Sequence, residues 1–185
     1  MFGNLKADFK RYYDLLPDHY GPWEHFLFFL KCQGQWALVD YRWRKWLRAR
    51  PLILRFLLGL PTFFGHIFVE SFTGISLPTR CTIGKGLYIG HFSGIFVNDA
   101  VVMGEGVSLS QGVTVGIGGR GERYGVPTVG NRVYFGPGSK TFGKITIGEN
   151  AKIGANAVVN RSVPAGATAV GIPARILVRE KPNGG

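Results

Sequence analysis

The sequence predicts a mainly β fold, a parallel β solenoid of triangular coils with an α-helical region ahead of it. Three observations predict it. Aliphatic or aromatic residues recur every six positions in the second part of the chain, glycine concentrates in that same part, and aromatics concentrate before it. Residues 1–75 hold eighteen of the twenty-five aromatics and all four Trp, but only six of the 28 Gly. The 185-residue chain therefore divides into a helical, aromatic-rich region (1–75), a repeat domain (76–177) and a tail (178–185).

The first residues, MFGNLKADFKRYYDLLPDHYG, mix charged and apolar positions without an apolar run, so no signal peptide is expected there. Glu24 to Arg50 contain no proline, and Trp36, Val39, Trp43 and Trp46 lay an aromatic stripe along a helix. Arg42, Arg44, Lys45 and Arg48 lie off that stripe. Such a helix either rests on an anionic membrane or packs its Trp face on the rest of the protein. Packing is favoured, because a short helical region needs these Trp for a core. Pro51 to Val69 is nearly long enough to span a bilayer, but Arg55, Pro61 and His66 lie inside it. A central Arg costs about 2.5–3.5 kcal/mol on insertion, so a buried or interfacial helical hairpin is expected. Residues 36–69 are thus the candidates for peripheral membrane contact.

The repeat runs through Leu77, Ile83 and Ile89, takes one eight-residue step to Val97, and continues through Met103, Leu109 and Val115. After Gly116–Thr128 it resumes at Val129, Phe135, Thr141, Ile147, Ile153 and Val159. Small or β-branched residues recur four positions later, as at Cys81, Val101, Ser139 and Ala157. A period of six fits neither helix nor hairpin, but it fits three short strands per coil. The repeating residue points inward, and the glycine that often follows it, as at 84, 104 and 148, is expected to permit the corner.

Lys and Arg total 22 against 11 acidic residues, a formal charge of +11, which calls for an anionic partner. No zinc-finger spacing, RNP-like strand or basic zipper is present, so nucleic acid is not expected. Cys32 and Cys81, the only cysteines, read as free thiols of a reducing compartment. The expected location is cytoplasmic, at the inner face of the membrane if residues 51–69 touch it.

Ile147-Gly-Glu-Asn-Ala-Lys-Ile-Gly-Ala-Asn-Ala157 and the exit sequence Val170-Gly-Ile-Pro-Ala-Arg-Ile176 resemble the hexapeptide-repeat acyltransferases, which implies a left-handed parallel β-helix. The runs Ile83–Val97 and Leu109–Gly116 resemble serine O-acetyltransferases, and still more their relatives in exopolysaccharide and capsule clusters. The resemblance covers about residues 75–177, whereas the N-terminal region matches the serine enzymes' helical domain poorly. It implies a homotrimer with active sites between subunits, and acetyl-CoA as co-substrate.

Acyl transfer to a hydroxyl needs a base, and imidazole suits that work. His91, the repeat domain's one histidine, stands in the widened coil and aligns with the family's catalytic base. Where serine enzymes carry an orienting aspartate, an acid before the histidine and an Arg-His pair, this chain has Ser76, Gly90 and Arg123-Tyr124. Those losses disfavour a zwitterionic acceptor and favour a sugar hydroxyl, held by Phe92, Asp99, Arg123 and Tyr124. The expected acceptor is a sugar of an exopolysaccharide or its lipid-linked precursor. The alternatives are serine, or a non-catalytic trimeric scaffold. Gly116 and Gly118 open a glycine-rich loop expected to act as a flexible flap whose N–H groups face the thioester oxyanion. By the same resemblance Pro137 and Ala155 match positions that line the pantetheine channel, and Lys152, Arg161 and Arg175, with Lys140, Lys144 and Arg179 nearby, are expected to face the coenzyme phosphates. The family's zinc-binding members use three histidines, and one histidine here implies no metal.

Overall fold

The computed structural model describes residues 2–17 and 19–177. Four helices come first: α1 (Phe2–Tyr13), α2 (Pro22–Lys31), α3 (Gln33–Arg48) and α4 (Leu52–Thr73). The first coil then begins with β1 (Ile75–Ser76), β2 (Thr82–Ile83) and β3 (Tyr88–Ile89). The middle coils contribute β4 (Ile95–Val97), β5 (Val102–Met103), β6 (Ser108–Leu109), β7 (Thr114–Gly116), β8 (Thr128–Val129) and β9 (Tyr134–Phe135). The last contribute β10 (Lys140–Phe142), β11 (Thr146–Ile147), β12 (Lys152–Ile153), β13 (Val158–Val159), β14 (Thr168–Val170) and β15 (Arg175–Leu177).

Up to β13 every third strand falls in the same sheet, and β14 and β15 then extend the third one, so the prism has three faces: β1-β4-β7-β10-β13, β2-β5-β8-β11, and β3-β6-β9-β12-β14-β15. All pairs are parallel except β14 with β15, which turns back at the C-terminal end. Thr128↔Thr146 and Tyr134↔Lys152 each step eighteen residues, Ile75↔Ile95 steps twenty, and Val102↔Thr128 steps twenty-six across the loop. The six-residue series is the core: Ile83, Ile89, Met103, Phe135, Ile147 and Ile153 are all buried, and so are the intervening Cys81, Val101, Ser139 and Ala157.

The glycines after the inward residue have a different reason from the expected one. A Cβ at Gly148 would sit 2.3 Å from the backbone nitrogen of Ala165, so glycine is required where successive coils touch. The left-handed corner residue comes two positions later, as at Gly106 (φ 69) and Asn150 (φ 57). Gly148→Ala is expected to cost about 1–3 kcal/mol by overpacking, read as a drop in the thermal midpoint.

The helices close the open edge of the first coil. Asp8, fully buried, accepts from Arg42 Nε (2.8 Å) and Nη2 (3.1 Å) and from the Leu87 N–H (2.9 Å). Arg42 also donates to the carbonyls of Ile83 (2.8 Å) and Gly84 (2.6 Å), Arg11 to that of Gly86 (2.7 Å), and Arg44 to that of Leu77 (2.9 Å). Side-chain donors thus satisfy the unpaired carbonyls that a bare sheet edge would expose. Arg42 and Arg44, which lie off the Trp stripe, are held here, so neither is a free cation of a membrane-facing helix.

Two further expectations change. The helix from Glu24 to Arg50 is broken at Cys32 (φ −99°, ψ 86°), and the face of α3 on the β-helix is Ala37, Leu38 and Tyr41. Its Trp stripe packs outward on α4: Trp43 Nε1 donates to Thr62 Oγ1 (3.0 Å), and Trp36 stacks on Phe72. Residues 51–69 are no hairpin, because α4 runs through Pro61 as one helix and exposes a long apolar face.

Candidate active site

Register decides what stands at each corner. Ile89 pairs with Leu109, Leu109 with Phe135, and Phe135 with Ile153. Two residues beyond these come His91, Gln111, Pro137 and Ala155, which form one file along the corner between the third and first sheets. Backbone bonds hold the corner: Gly112 N to Ser93 O (2.9 Å), Gly138 N to Gln111 O (2.8 Å) and Asn156 N to Pro137 O (2.8 Å). At about 4.8 Å per coil, Pro137 and Ala155 stand roughly 10 and 14 Å along the axis from His91.

The two extra residues of the widened coil are absorbed here, with Ser93 at φ 83° and Gly94 at φ 69°. Positive φ is uncommon for serine, and this local strain leaves His91 and Phe92 exposed beside it. They open on a cavity of about 300 Å³ whose other walls include Tyr12, Phe28, Lys31, Cys32 and Tyr88. The Tyr12 hydroxyl accepts from the Ile89 N–H (2.9 Å) and donates to the Ile89 carbonyl (3.0 Å), fixing the strand that carries His91. Burial pushes the Cys32 thiol up, so it stays protonated and offers no thiolate beside the imidazole. Among the described residues no carboxylate lines this cavity. Ser76 lies on β1, opposite Phe96.

The next corner, between the first and second sheets, carries a separate group: Asp99, Gly116, Gly118, Arg123, Tyr124 and Arg161. Asp99 lies 3.7 Å from Arg80, both exposed, and it does not line the His91 cavity. The glycine-rich loop is pinned rather than a free flap, because Gly118 and Gly125 exchange both backbone bonds at 2.9 Å. A short 3-10 turn, Gly121–Arg123, closes it, and Arg120, Arg123, Phe142 and Asn160 line a groove of about 280 Å³. Lys152 lies exposed on β12, and Arg175 is exposed on β15. Lys140 donates to the Gly112 carbonyl (2.6 Å) and Thr114 Oγ1 (3.0 Å), which ties it to the scaffold. Arg179 and the tail lie outside the described residues.

One chain therefore unites His91, Phe92, Pro137 and Ala155, but not Asp99, Arg123, Tyr124, Gly116, Gly118 or Arg161 with them. Gln111, one coil from His91, escaped the sequence reading because no motif marks it and only register aligns it. Among the described residues no three His, Cys, Asp or Glu side chains converge as a metal site.

No family model matches the chain. It is 37% identical to the serine acetyltransferase of Helicobacter pylori over 163 residues, 86% of this chain and 88% of that protein. It is 35% identical to the serine acetyltransferase of Synechococcus elongatus over 181 residues, 97% of this chain and 70% of the other. The chain belongs to the serine acetyltransferase family. The N-terminal helices share in the likeness, contrary to the poor match expected of them. The crystal structure of the Neisseria gonorrhoeae serine acetyltransferase in complex with serine superposes with a TM-score of 0.73 at 29% identity, covering 96% of this chain and 69% of that one. That of the Brucella abortus serine acetyltransferase in complex with coenzyme A gives 0.75 at 28% identity, covering 95% and 67%. The fold is this family's left-handed β-helix, and the protein is an acetyl-CoA-dependent O-acetyltransferase.

Proposed function

We propose that the acceptor is the hydroxyl of serine and that a second copy of the chain completes the site. The observation that carries the acceptor is the likeness to serine acetyltransferases across both helices and repeats. This moves the leading reading from the sugar expected on sequence to the amino acid. His91 takes the hydroxyl proton as the oxygen attacks the acetyl carbonyl. The carbon–sulfur bond then breaks, and the imidazolium returns the proton to the departing thiolate. N–H groups of the 116–127 loop face the oxyanion. The corner from His91 through Gln111 and Pro137 to Ala155 follows the pantetheine arm, and Lys152, Arg161 and Arg175 meet the phosphates.

The two residue groups stand on different corners of one prism, so a neighbouring copy must bring its loop corner to this copy's His91 corner. Three such contacts closing on themselves make a homotrimer. Arg161→Ala is expected to raise KM for acetyl-CoA roughly tenfold while kcat stays unchanged, checked by steady-state kinetics.

A sugar hydroxyl of an exopolysaccharide intermediate is the second reading, favoured by one observation. Among the described residues the His91 cavity offers aromatic walls and Lys31 but no carboxylate for a serine ammonium. Acetyl-CoA consumption measured against L-serine and a panel of sugars tests both. The expected result is O-acetylserine formation, and turnover with sugars alone would transfer the assignment to the second reading.

A further inference from the structure

The helix α4 has a window of mean hydropathy 1.8 with none of it buried. Ten large apolar side chains on α4 stand exposed along about 33 Å, Phe56 at 83% and Phe64 and Phe68 near 60%. Isolated apolar residues on a surface are ordinary, but a continuous stripe of this length marks a docking face.

The chemistry beside the stripe says what covers it. A cleft of about 400 Å³ runs along the N-terminal half of α4, where Arg44, Arg48 and Arg55 line it together with Leu52, Phe56 and Thr79. Among the described residues no carboxylate lines that cleft, and no Asp or Glu occurs anywhere in residues 41–69. Arg44 is paired with Asp40 at 2.7 Å, while among the described residues Arg48 reaches only the Thr79 hydroxyl, at 3.3 Å. Arg50 adds an exposed cation stacked on Trp46, 4.6 Å from the ring centre. A second copy packed on this face would need carboxylates for these guanidinium groups. The one acid on α4, Glu70, is already held by His66 Nε2 at 2.9 Å. A bilayer surface offers phosphates beside acyl chains, in the same arrangement as the basic cleft beside the apolar stripe.

We propose that α4 lies along an anionic lipid bilayer, with its stripe in the headgroup–acyl boundary and the Arg48–Arg55 cleft on a lipid phosphate. The helix rests on the bilayer and does not cross it. Its other face is held by Trp43 on Thr62 (3.0 Å) and by Asp40 on His66 (3.1 Å). This holds whichever hydroxyl the enzyme acetylates.

Vesicle flotation of the full chain tests it. Vesicles of equal parts phosphatidylcholine and phosphatidylglycerol are expected to carry the protein upward, and phosphatidylcholine alone to carry far less. Arg48→Gln with Arg55→Gln is expected to weaken binding to the mixed vesicles by roughly 25-fold, at about fivefold per cation near the surface. Phe56→Ser, Phe64→Ser and Phe68→Ser together are expected to abolish it while acetyl-CoA turnover in solution persists. A protein that stays down with both vesicle types, or variants that float like the parent, would overturn the proposal. So would a triple variant that reduces the oligomer's mass in light scattering, because the stripe would then face another copy.

Discussion

His91→Ala is expected to lower acetyl-CoA turnover by about 10²–10⁴-fold while coenzyme affinity and oligomeric mass stay unchanged. The loss is that large because a serine or sugar hydroxyl is a poor nucleophile until its proton is taken. Among the described residues of this chain that line the cavity, no other stands ready to take it. Tyr12 is locked on both polar groups of Ile89, burial keeps the Cys32 thiol protonated, and Lys31 is a cation. The coenzyme contacts proposed at Pro137 and Ala155 lie two and three coils away, so calorimetric binding of coenzyme A should survive. Turnover within tenfold of the parent would remove His91 from the mechanism.

The largest expected loss of stability is far from that chemistry. Asp8→Ala leaves the Arg42 guanidinium buried, 4% exposed, with carbonyl partners but no counter-charge, and also strips the Leu87 N–H of its acceptor. Breaking a buried pair in this way costs about 3–5 kcal/mol. For a chain of this size that lowers the thermal midpoint by roughly 10 °C. Adding Arg42→Met should recover part of the loss, because the stranded charge goes with it. If Asp8→Ala alone shifts the midpoint by less than about 2 °C, the helical cap and the first coil are not coupled through this pair.

Much of the repeat domain was legible in order of residues. A strand side chain alternates faces, and a coil of three strands returns to the same face every eighteen residues, so burial imposes a period that composition cannot hide. Leu77, Ile83, Ile89 and their successors follow it into the core, and the one eight-residue step locates the strained corner at Ser93. The site was legible only where it is local. His91 and Phe92 are neighbours in sequence, and in the fold both line one cavity. Asp99, Arg123 and Tyr124 stand at another corner of the same prism, so within one chain register keeps them apart from the histidine and only a neighbouring copy brings them to it.

The cations show the limit most clearly. By sequence, Arg11, Arg42, Arg44, Arg48 and Arg55 are alike, and a charge of +11 asks only for something negative. The tertiary structure separates them, because the first coil leaves carbonyls unpaired that only donors from α1 and α3 can reach. Arg11 and Arg42 are consumed there, and Arg44 is shared between Leu77 and Asp40. Arg48 beside α4 and Arg55 on it remain next to an apolar helix face that no described part of the chain covers. The sequence by itself determined the coil, its inward residues and the histidine at its widened corner, because those follow from periodicity. Which residues share a corner, which charges stay free and which helix face stays bare were decided by folding, because each depends on groups brought together from distant positions.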